Sequence, residues 1–453
     1  MQKDIKNLLI ENFANFIDKL NGQGKSKIQS IRHDAYRKLI NLQIPTQKNE
    51  EWRYANLNFL YQYDFDFEFN HPDYNLEFKD IEDFIIPEIN ENLLVFVNGI
   101  YSEKLSKFKY QRDEIILENL ASAEKRNAPN LIANFSNLSN YNEDFFTAAN
   151  TAYARDGVYI NIPAGVYVEE PIHIMFITDS RYGPVISNPR NLFIVGKCSQ
   201  VKIIETYHTI GDKPAFTNMV TELFANFASN IDFYKIQNDK GNSFYIGSTN
   251  VEQAKNSSVN MTTISLNGNF VRNNIKTILD GENSELNLYG LYFLKDKNYV
   301  DNHTEIIHSV PNCQSNEYYK GILADQSKAV FKGRIVVKPN AQKTNAYQSN
   351  KNILLSDDAK IHTLPQLEIY ADDVKCSHGA TTGYFDKEAI HYMKARGISD
   401  DMAKSLLMNA FASEIIEKIR IFGLRDNIKR LVSERLVVDD IYFCDVLDDL
   451  FRK

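Results

Sequence analysis

The 453-residue chain contains little cysteine, and its cysteines are scattered. The four of them, Cys198, Cys313, Cys376 and Cys444, form no CxxC pair. Zinc ribbons bring closely spaced cysteine pairs to one ion, and disulfide scaffolds concentrate many cysteines in a short chain. The spacing therefore argues against both classes and indicates a reducing, cytoplasmic setting.

Long apolar runs and an excess of positive charge are also missing. No stretch approaches the run of about 18 apolar residues that can span a bilayer. Asp4, Glu11 and Asp18 interrupt the apolar pattern at the N-terminus, which argues against a signal peptide. The formal net charge is -8, whereas a nucleic-acid-binding protein usually carries a basic surface. We therefore expect neither a membrane nor a nucleic acid as partner.

A complete phosphate-binding loop is absent from the NGQGKSK segment. This segment contains Gly24, Lys25 and Ser26, but Lys19 stands where such a loop needs its first glycine. An amphipathic helix precedes it instead of the required strand. We interpret the segment as a turn between two N-terminal helices.

Short alternating runs dominate the sequence from about Leu93 to Tyr370. Valine, isoleucine and aromatic residues recur at period two, which predicts many short strands and no long helix. Several runs begin alike, with a small or polar residue before the alternation: CSQVKI, ASNIDF, SSVNMT, NSELNL, QSKAVF and DAKIHT. Their starts recur at roughly 27 to 32 residues, with one gap of about 43.

Two architectures fit this pattern. A β-sandwich would need tight hairpins, for which Asn267-Gly268 and Asp280-Gly281 are candidates. A parallel β-helix would instead stack similar coils, and the loose repeat favours it. We predict an N-terminal helical region and linker over 1–92, a β-helix core over 93–374 and a C-terminal helical domain over 375–453.

The C-terminal region returns to helical periodicity. Asp386 and Ser399 are suitable N-caps for two helices. These helices could pack back on the solenoid or present an apolar face to a partner.

The segment KCSHGATTGYFD carries the first candidate site. Cys376 and His378 have side chains that ligate iron, copper or zinc, but two ligands do not complete a site. On a strand they would lie about 7 Å apart at the backbone, too far for a nucleophile and its base. A buried cysteine beside a turn histidine is the alternative, with Gly379 and the following threonines leading the chain out of the solenoid.

A second candidate cluster lies in VDNHTEIIHSVPNCQS. On a strand, Asp301, His303 and Glu305 would share one face, where they could bind a metal, exchange protons or form a polar ladder between coils. The segment EEWRYANL, residues 50–57, holds the single tryptophan, Trp52. It suits either a docking segment or an ordinary packed anchor.

Eight segments, in this order, give the chain a resemblance to a known family. Together they resemble the SufB/SufD family of iron–sulfur cluster assembly proteins over nearly the whole chain. The segments are NEEWRYANL, LLVFVNGIYSEKLS, GVYINIPAGVYVEEPIHI, QVKIIETY, DNHTEIIHSVPNCQSNEYYKGIL, FKGRIVV, ADDVKCSHGATTGYFDKEAIHYMKARGI and LLMNAFASEII.

Within this family the sequence is most similar to the SufD branch. It reads SHGAT where the SufB branch is expected to read EHEAT. It also has Ser349 where a SufB-type chain is expected to carry its cluster-building cysteine. The resemblance therefore implies that this chain does not assemble the cluster alone.

The resemblance implies a mainly β fold, a right-handed parallel β-helix flanked by N-terminal and C-terminal α-helical regions. It implies a non-catalytic scaffold that pairs with a SufB-like subunit through the β-helix and with a SufC-like ATPase through the C-terminal helices. His378 would lie at the cluster-assembly interface, as a possible iron ligand shared with the partner chain. No cofactor would be bound stably by this chain alone, although a transient iron–sulfur cluster could form at the interface.

Two further possibilities follow from the residues. An exposed strand edge favours self-association, so the chain could form a homodimer when its partner is absent. The alternative function is a β-helix polysaccharide lyase or hydrolase. Such an enzyme would need two carboxylates a few ångströms apart, and Asp301 and Glu305 are the candidates.

Overall fold

Two sheets of parallel strands dominate the computed structural model, which describes residues 5–20, 26–66, 76–109, 114–384 and 387–436. The first ten strands are β1 Asn92–Val97, β2 Ile100–Tyr101, β3 Ile116–Asn119, β4 Val158–Ile162, β5 Ile172–Asp179, β6 Val185–Ser187, β7 Arg190–Val195, β8 Gln200–Ile210, β9 Ala215–Ala225 and β10 Asn230–Asn238. The next ten are β11 Ser243–Gln253, β12 Ser258–Asn267, β13 Phe270–Leu279, β14 Glu285–Leu294, β15 Tyr299–His308, β16 Gln314–Leu323, β17 Lys328–Val337, β18 Asn345–Leu354, β19 Lys360–Ile369 and β20 Lys375–Gly383.

From β8 onward, successive strands alternate between the two sheets. The first sheet has the order β2-β1-β5-β8-β10-β12-β14-β16-β18-β20, and the second has the order β19-β17-β15-β13-β11-β9-β7-β4-β3, with β6 beside β9. Pairing is parallel in both sheets except between β1 and β2 and between β3 and β4. This is a parallel β-helix, as the sequence predicted.

The coil length explains the irregular repeat. Ser258, Glu285 and Gln314 lie side by side in neighbouring strands of the first sheet, about one coil apart in sequence. The run NSELNL enters the first sheet at β14, whereas QSKAVF enters the second sheet at β17. The gap of about 43 residues is therefore one coil plus the step from one sheet to the other.

Stacked turns precede the strands of the first sheet. In six of these turns a residue in the left-handed conformation is followed directly by a small, buried side chain. The pairs are Cys198-Ser199, Ala228-Ser229, Asn256-Ser257, Asn283-Ser284, Asn312-Cys313 and Lys343-Thr344. The hydroxyls of Ser229, Ser257 and Thr344 each donate to the carbonyl three residues earlier, which closes the turn.

The two hairpin candidates are corners between the sheets. Asn267-Gly268 joins β12 to β13, and Asp280-Gly281 joins β13 to β14, so neither connects antiparallel partners. At Gly281 an added Cβ would lie 1.8 Å from the backbone nitrogen of Lys255 in the neighbouring coil. Glycine is needed there because the stacked turns approach each other so closely.

The interior of the solenoid is filled by apolar ladders. Val201, Ile231, Val259 and Leu286 occupy the same register position in four neighbouring strands, and all four are buried. Burying a side chain of this size stabilises the fold by about 1.5–3 kcal/mol. In-register stacking therefore makes each coil the packing surface for the next.

Helices flank the solenoid at both ends of the chain, and in the described residues none of them is long and apolar enough to cross a lipid bilayer. The helices are α1 Ile5–Lys19, α2 Lys27–Asn41, α3 Phe59–Gln62, α4 Leu120–Lys125, α5 Pro129–Asn134, α6 Phe145–Tyr153, α7 Lys387–Ala395, α8 Asp400–Ile416 and α9 Phe422–Leu436. The short helices α4, α5 and α6 fall inside the region predicted as strands.

Two buried ion pairs stabilise the N-terminal half of the molecule, one between helices α2 and α4 and one between strands β7 and β9. The Arg32 guanidinium of α2 donates to both carboxylate oxygens of Glu124, at 2.7 and 2.6 Å. Arg190 donates to Glu222 at 2.6 Å, and both side chains are fully buried. Glu222 also accepts backbone N–H bonds from Ser136, so it holds the loop before α6 against the second sheet.

The C-terminal helices α8 and α9 pack back on the outer face of the first sheet, as one of the two alternatives predicted. Lys320 of β16 donates to the carbonyl of Phe411 at 2.9 Å and pairs with Glu414 at 2.8 Å. Ser399 caps α8 by accepting from the Met402 N–H, as predicted, whereas Asp386 lies outside the described residues. None of the described side chains of α7 is buried.

One prediction at the solenoid boundary is wrong. Gly379 and the threonines after it do not turn the chain away, because Lys375–Gly383 form β20, which pairs in parallel with β18. Cys376 aligns with Ala346, and Gly379 aligns with Ser349. The small residues form an extended edge strand, and among the described residues no further coil packs on it, so it needs no large side chains there.

We expect Arg190→Met to destabilise the protein by about 3–5 kcal/mol, because the substitution leaves the Glu222 carboxylate buried without its cation. Urea unfolding at neutral pH, followed by circular dichroism, measures the change. Lys255→Met is the control, since Lys255 and Glu282 form a half-exposed pair between coils. It should cost about 0–1 kcal/mol. Equal effects of the two substitutions would contradict the prediction.

Candidate functional site

The solenoid ends in two unpaired strand edges. In the described part of the chain, β20 pairs only with β18 and β19 pairs only with β17. The side chains of β18 alternate between buried and more exposed positions, whereas most side chains of β20 are exposed. Several large apolar side chains are exposed at this end: Tyr347, Leu364, Ile369, Tyr370 and Tyr384. Free edge strands and exposed apolar groups are typical of a protein interaction surface.

His378 lies on this open end, in the middle of β20. It aligns with Gln348 of β18, whose side chain is buried in the solenoid interior. Cys376, two residues away on the same face, packs against the interior core. His378 therefore continues an interior-facing ladder and is exposed because no described coil covers it.

The cysteines of the described residues lie in separate places. Cys198 is exposed at a stacked turn, while Cys313 is buried in the same column of turns and accepts from the Ser284 hydroxyl at 3.3 Å. Cys376 is half-buried, and burial raises the pKa of its thiol. Cys444 falls outside the described residues.

No complete metal site is formed by this chain within the part that the structure describes. There, no three His, Cys, Asp or Glu side chains come together as ligands. Ser349, which stands at the expected cysteine position, aligns with Gly379 and lies on the face opposite to Gln348. Within the described residues, this chain therefore supplies no full ligand set for a metal at His378.

The second predicted cluster forms a ladder of ion pairs on the outer face of the second sheet. Asp301, His303 and Glu305 do share one face of β15. Asp301 pairs with Arg272 at 2.7 Å and with His303 at 2.8 Å. Burial alone would raise the pKa of Asp301, but these two partners outweigh it and leave the pKa below its usual value.

Glu305 is held in the same way, by Lys276 at 2.9 Å and Arg334 at 2.8 Å in the two neighbouring strands. Both carboxylates that could serve a polysaccharide-cleaving enzyme are therefore committed to cations. Of the alternatives for this cluster, the polar ladder between coils is the one that the structure favours.

Residues 50–57, here called the docking segment, lie over this ladder. The Trp52 ring stacks on the Arg272 guanidinium, with 3.8 Å between the guanidinium carbon and the ring centroid. Glu51 contacts His303 at 3.2 Å and Lys332 at 2.6 Å. A cavity of about 410 Å³ remains beside these residues. The segment thus fixes the N-terminal region to the second sheet.

Sequence reasoning missed two polar residues behind His378. Gln348 is buried and donates from Nε2 to the Glu317 carboxylate at 2.6 Å. Burial raises the pKa of Glu317 to about 7, against the opposing effects of the neighbouring Thr304 hydroxyl and of the hydrogen bond from Gln348. Both residues lie in strands with alternating polarity, at positions that face the interior. A polar residue at such a position is the sequence feature that could have identified them.

Comparison with known proteins agrees with this architecture. Residues 176–411 match the model for the SufBD core domain of the SUF iron–sulfur cluster assembly system, and residues 3–174 match the SufBD N-terminal region. A SufBD family protein of Synechocystis is 31% identical over 92% of this chain and 93% of its own length. The cluster assembly protein SufD of Escherichia coli is 28% identical over 88% of this chain and 90% of its own length.

A third relative is the chloroplastic protein ABCI7 of Arabidopsis thaliana. It is 28% identical over 90% of this chain and 86% of its own length. At these coverages, all three alignments include the whole solenoid.

The docking segment should loosen in acid. His303 and Lys332 hold the pKa of Glu51 at about 2, below its ordinary value of 4.5, although burial acts in the opposite direction. A carboxylate with a lowered pKa contributes stability above its unfolded pKa. The contribution is therefore present at neutral pH and is lost as the pH falls from 4.5 towards 2. Because the Glu51 side chain is 60% exposed and solvent screens the pair, we expect only about 0.5–1 kcal/mol.

Fluorescence of Trp52, the single tryptophan, measures this effect between pH 7 and pH 3. Glu51→Gln should lose the pH-dependent change that the wild type shows. Glu50→Gln is the control, because Glu50 is more exposed and contacts Lys332 at 3.3 Å. Identical acid profiles of the two variants would refute the assignment to Glu51.

Proposed function

The chain belongs to the SufBD family of iron–sulfur cluster assembly proteins, and we propose that it acts as the SufD-like scaffold subunit of a SufB–SufC–SufD complex. In this proposal the open end of the β-helix pairs with a SufB-like subunit. The C-terminal helices carry a SufC-like ATPase, and this chain catalyses no reaction itself. The observation that carries the proposal is the pair of free strand edges, with His378 on one of them.

Strand addition supports the pairing. The edges of β19 and β20 run side by side, so a second solenoid could extend both sheets with backbone hydrogen bonds. The exposed side chains of Leu364, Ile369 and Tyr370 would be buried in the same contact. Another copy of this chain offers the same edges, so a homodimer would compete with the partner when the partner is absent.

His378 would lie at the seam of this complex. A neutral imidazole ligates ferrous iron and exchanges protons near neutral pH. The iron–sulfur cluster is the cargo here, and its remaining ligands would come from the SufB-like chain. The position of Ser349 and the raised pKa of the Cys376 thiol support this division, because neither residue offers a thiolate at neutral pH.

The C-terminal helices support the ATPase part of the proposal. While α8 and α9 are anchored to the first sheet, the described side chains of α7 are not buried. Tyr392 on α7 and Phe422 at the start of α9 are exposed aromatic residues. A partner that covers them would be connected to the solenoid through α8, and so to the first sheet that ends at β20.

We expect His378→Ala to lower the bound iron and sulfide several-fold while the complex stays intact. The measurement is anaerobic purification after co-expression with SufB-like and SufC-like partners, followed by iron and sulfide analysis. His33→Ala is the control, because His33 is an exposed histidine on α2. Unchanged iron and sulfide in the His378→Ala complex would rule out the site assignment.

The pairing surface can be tested separately with Ala380→Pro. The Lys375 N–H donates to the carbonyl of Thr344, directly before β18, so by alternation the N–H of Ala380 points to the free edge. Proline there removes an outward donor and leaves the bonds to β18 in place. We expect co-purification with the SufB-like chain to fall at least tenfold, a cost of about 1.4 kcal/mol. Ala380→Thr keeps the donor and should pair normally; equal loss in both variants would argue against strand addition.

A further inference from the structure

A single column of side chains runs from the solenoid interior to His378. Leu288, Glu317, Gln348 and His378 occupy the same register position in β14, β16, β18 and β20. Cys376 packs on the interior core, and His378, two residues further along β20, lies on the same face of the strand. Residues aligned across parallel strands share a face, so all four side chains lie on the interior-facing side. The column thus links a buried carboxyl to the exposed imidazole through one amide.

The amide in this column is tightly placed. Gln348 and Glu317 are both buried, and their hydrogen bond is 2.6 Å long. An added Cβ at Gly333 of the second sheet would lie 2.1 Å from Gln348 Nε2, so the amide fills a space that only glycine leaves open. This packing limits the orientations that the amide can adopt.

The amide oxygen of Gln348 lacks a donor. Gln348 Oε1 is buried and has no hydrogen-bond partner among the described residues, and the same is true of Glu317 Oε1. Buried polar atoms are nearly always paired, so an unpaired oxygen calls for a donor. Next to Gln348 in the column are Glu317 on one side and His378 on the other, each about 4.8 Å away at the backbone. Because an ionised carboxylate only accepts, the imidazole is the neighbour that can donate to this oxygen.

We propose that Gln348 and Glu317 are positioning residues for His378. Glu317 fixes the Gln348 amide, and the amide oxygen accepts from one ring nitrogen of His378. The other ring nitrogen is then unprotonated and faces the open end, ready to bind iron or accept a proton. The role of this nitrogen rests on the proposed function, whereas the arrangement itself is a property of the isolated chain.

The protonation of Glu317 adds a second state to this arrangement. Its surroundings hold Thr304 on β15, Tyr319 on its own strand and Gln348 on β18, and no cation contributes to its pKa. With a pKa of about 7, ionised and protonated forms are both populated at neutral pH. The ionised form accepts from the amide nitrogen, whereas the protonated form donates to an amide oxygen. If the proton lies on the oxygen that faces Gln348, the amide turns over and presents its nitrogen to His378, which reverses the preferred ring tautomer.

Nitrogen-15 NMR of the isolated full chain, labelled at histidine, tests the proposal. The His378 ring signals are identified by their absence in His378→Ala. At pH 8 the wild type should show nitrogen shifts of one fixed tautomer, and Gln348→Leu should show the averaged shifts of a freely exchanging ring. Ser349→Ala, on the opposite face of the same strand, should match the wild type.

Glu317→Gln is the second variant. It conserves the shape of the side chain but replaces the titrating carboxyl group with a neutral amide. It should shift the tautomer signal at pH 8. The wild-type tautomer at pH 8 needs no substitution, so a freely exchanging ring in the wild type would contradict the proposal even if a variant does not fold. His378 signals that are the same in wild type, Gln348→Leu and Glu317→Gln would overturn it.

The outcome is independent of the scaffold assignment. If NMR shows the coupling but His378→Ala leaves cluster assembly unchanged, the column exists and the proposed function fails. If NMR shows no coupling but His378→Ala abolishes assembly, the function stands without the positioning residues. If the coupling is seen and His378→Ala also abolishes assembly, Gln348→Leu should reduce bound iron and sulfide several-fold in the assembled complex, because the His378 imidazole would no longer be held in place.

Discussion

In-register parallel pairing is the constraint on which the rest of this molecule depends. Each coil must place its interior side chains over those of the coil before it, because a slip of one residue would turn every apolar side chain outward. Register is set by the stacked turns, where left-handed residues and small buried hydroxyls recur from Ser199 to Thr344. Cys313 belongs to this series, which explains its burial without any catalytic role.

The same constraint organises the polar residues. Charges that lie far apart in sequence become neighbours across strands, as Asp301 and Arg272 do on the outer face. On the inner face the register aligns Glu317, Gln348 and His378. A functional residue on the last coil can therefore be influenced by side chains about 30 and 60 positions earlier, through direct lateral contact instead of a long-range conformational change.

The sequence was sufficient to predict the β-helix architecture but not the strand at its open edge. Period-two alternation and a loose repeat predicted the parallel β-helix, since both follow from local patterning. The strand at Lys375–Gly383 was missed because glycine and threonine after His378 are typical of a turn, and only the neighbouring coil makes them a strand. The interface role of His378 stays a prediction from family resemblance, whereas Gln348 and Glu317 become neighbours of His378 only when the register is known.

The two ends of the solenoid differ. Near the N-terminal end, the antiparallel strands β2 and β3 and the helices α4 and α6 cover the first coils, whereas β19 and β20 end in free edges. In a stack of coils each unit draws its stability from its neighbours, so a terminal coil with one neighbour is the first to open. A partner that adds strands there acts as the missing neighbour. In the proposed complex, partner binding and completion of folding in the last coil would be a single thermodynamic event, so the free energy of opening that coil would limit how tightly the partner is held.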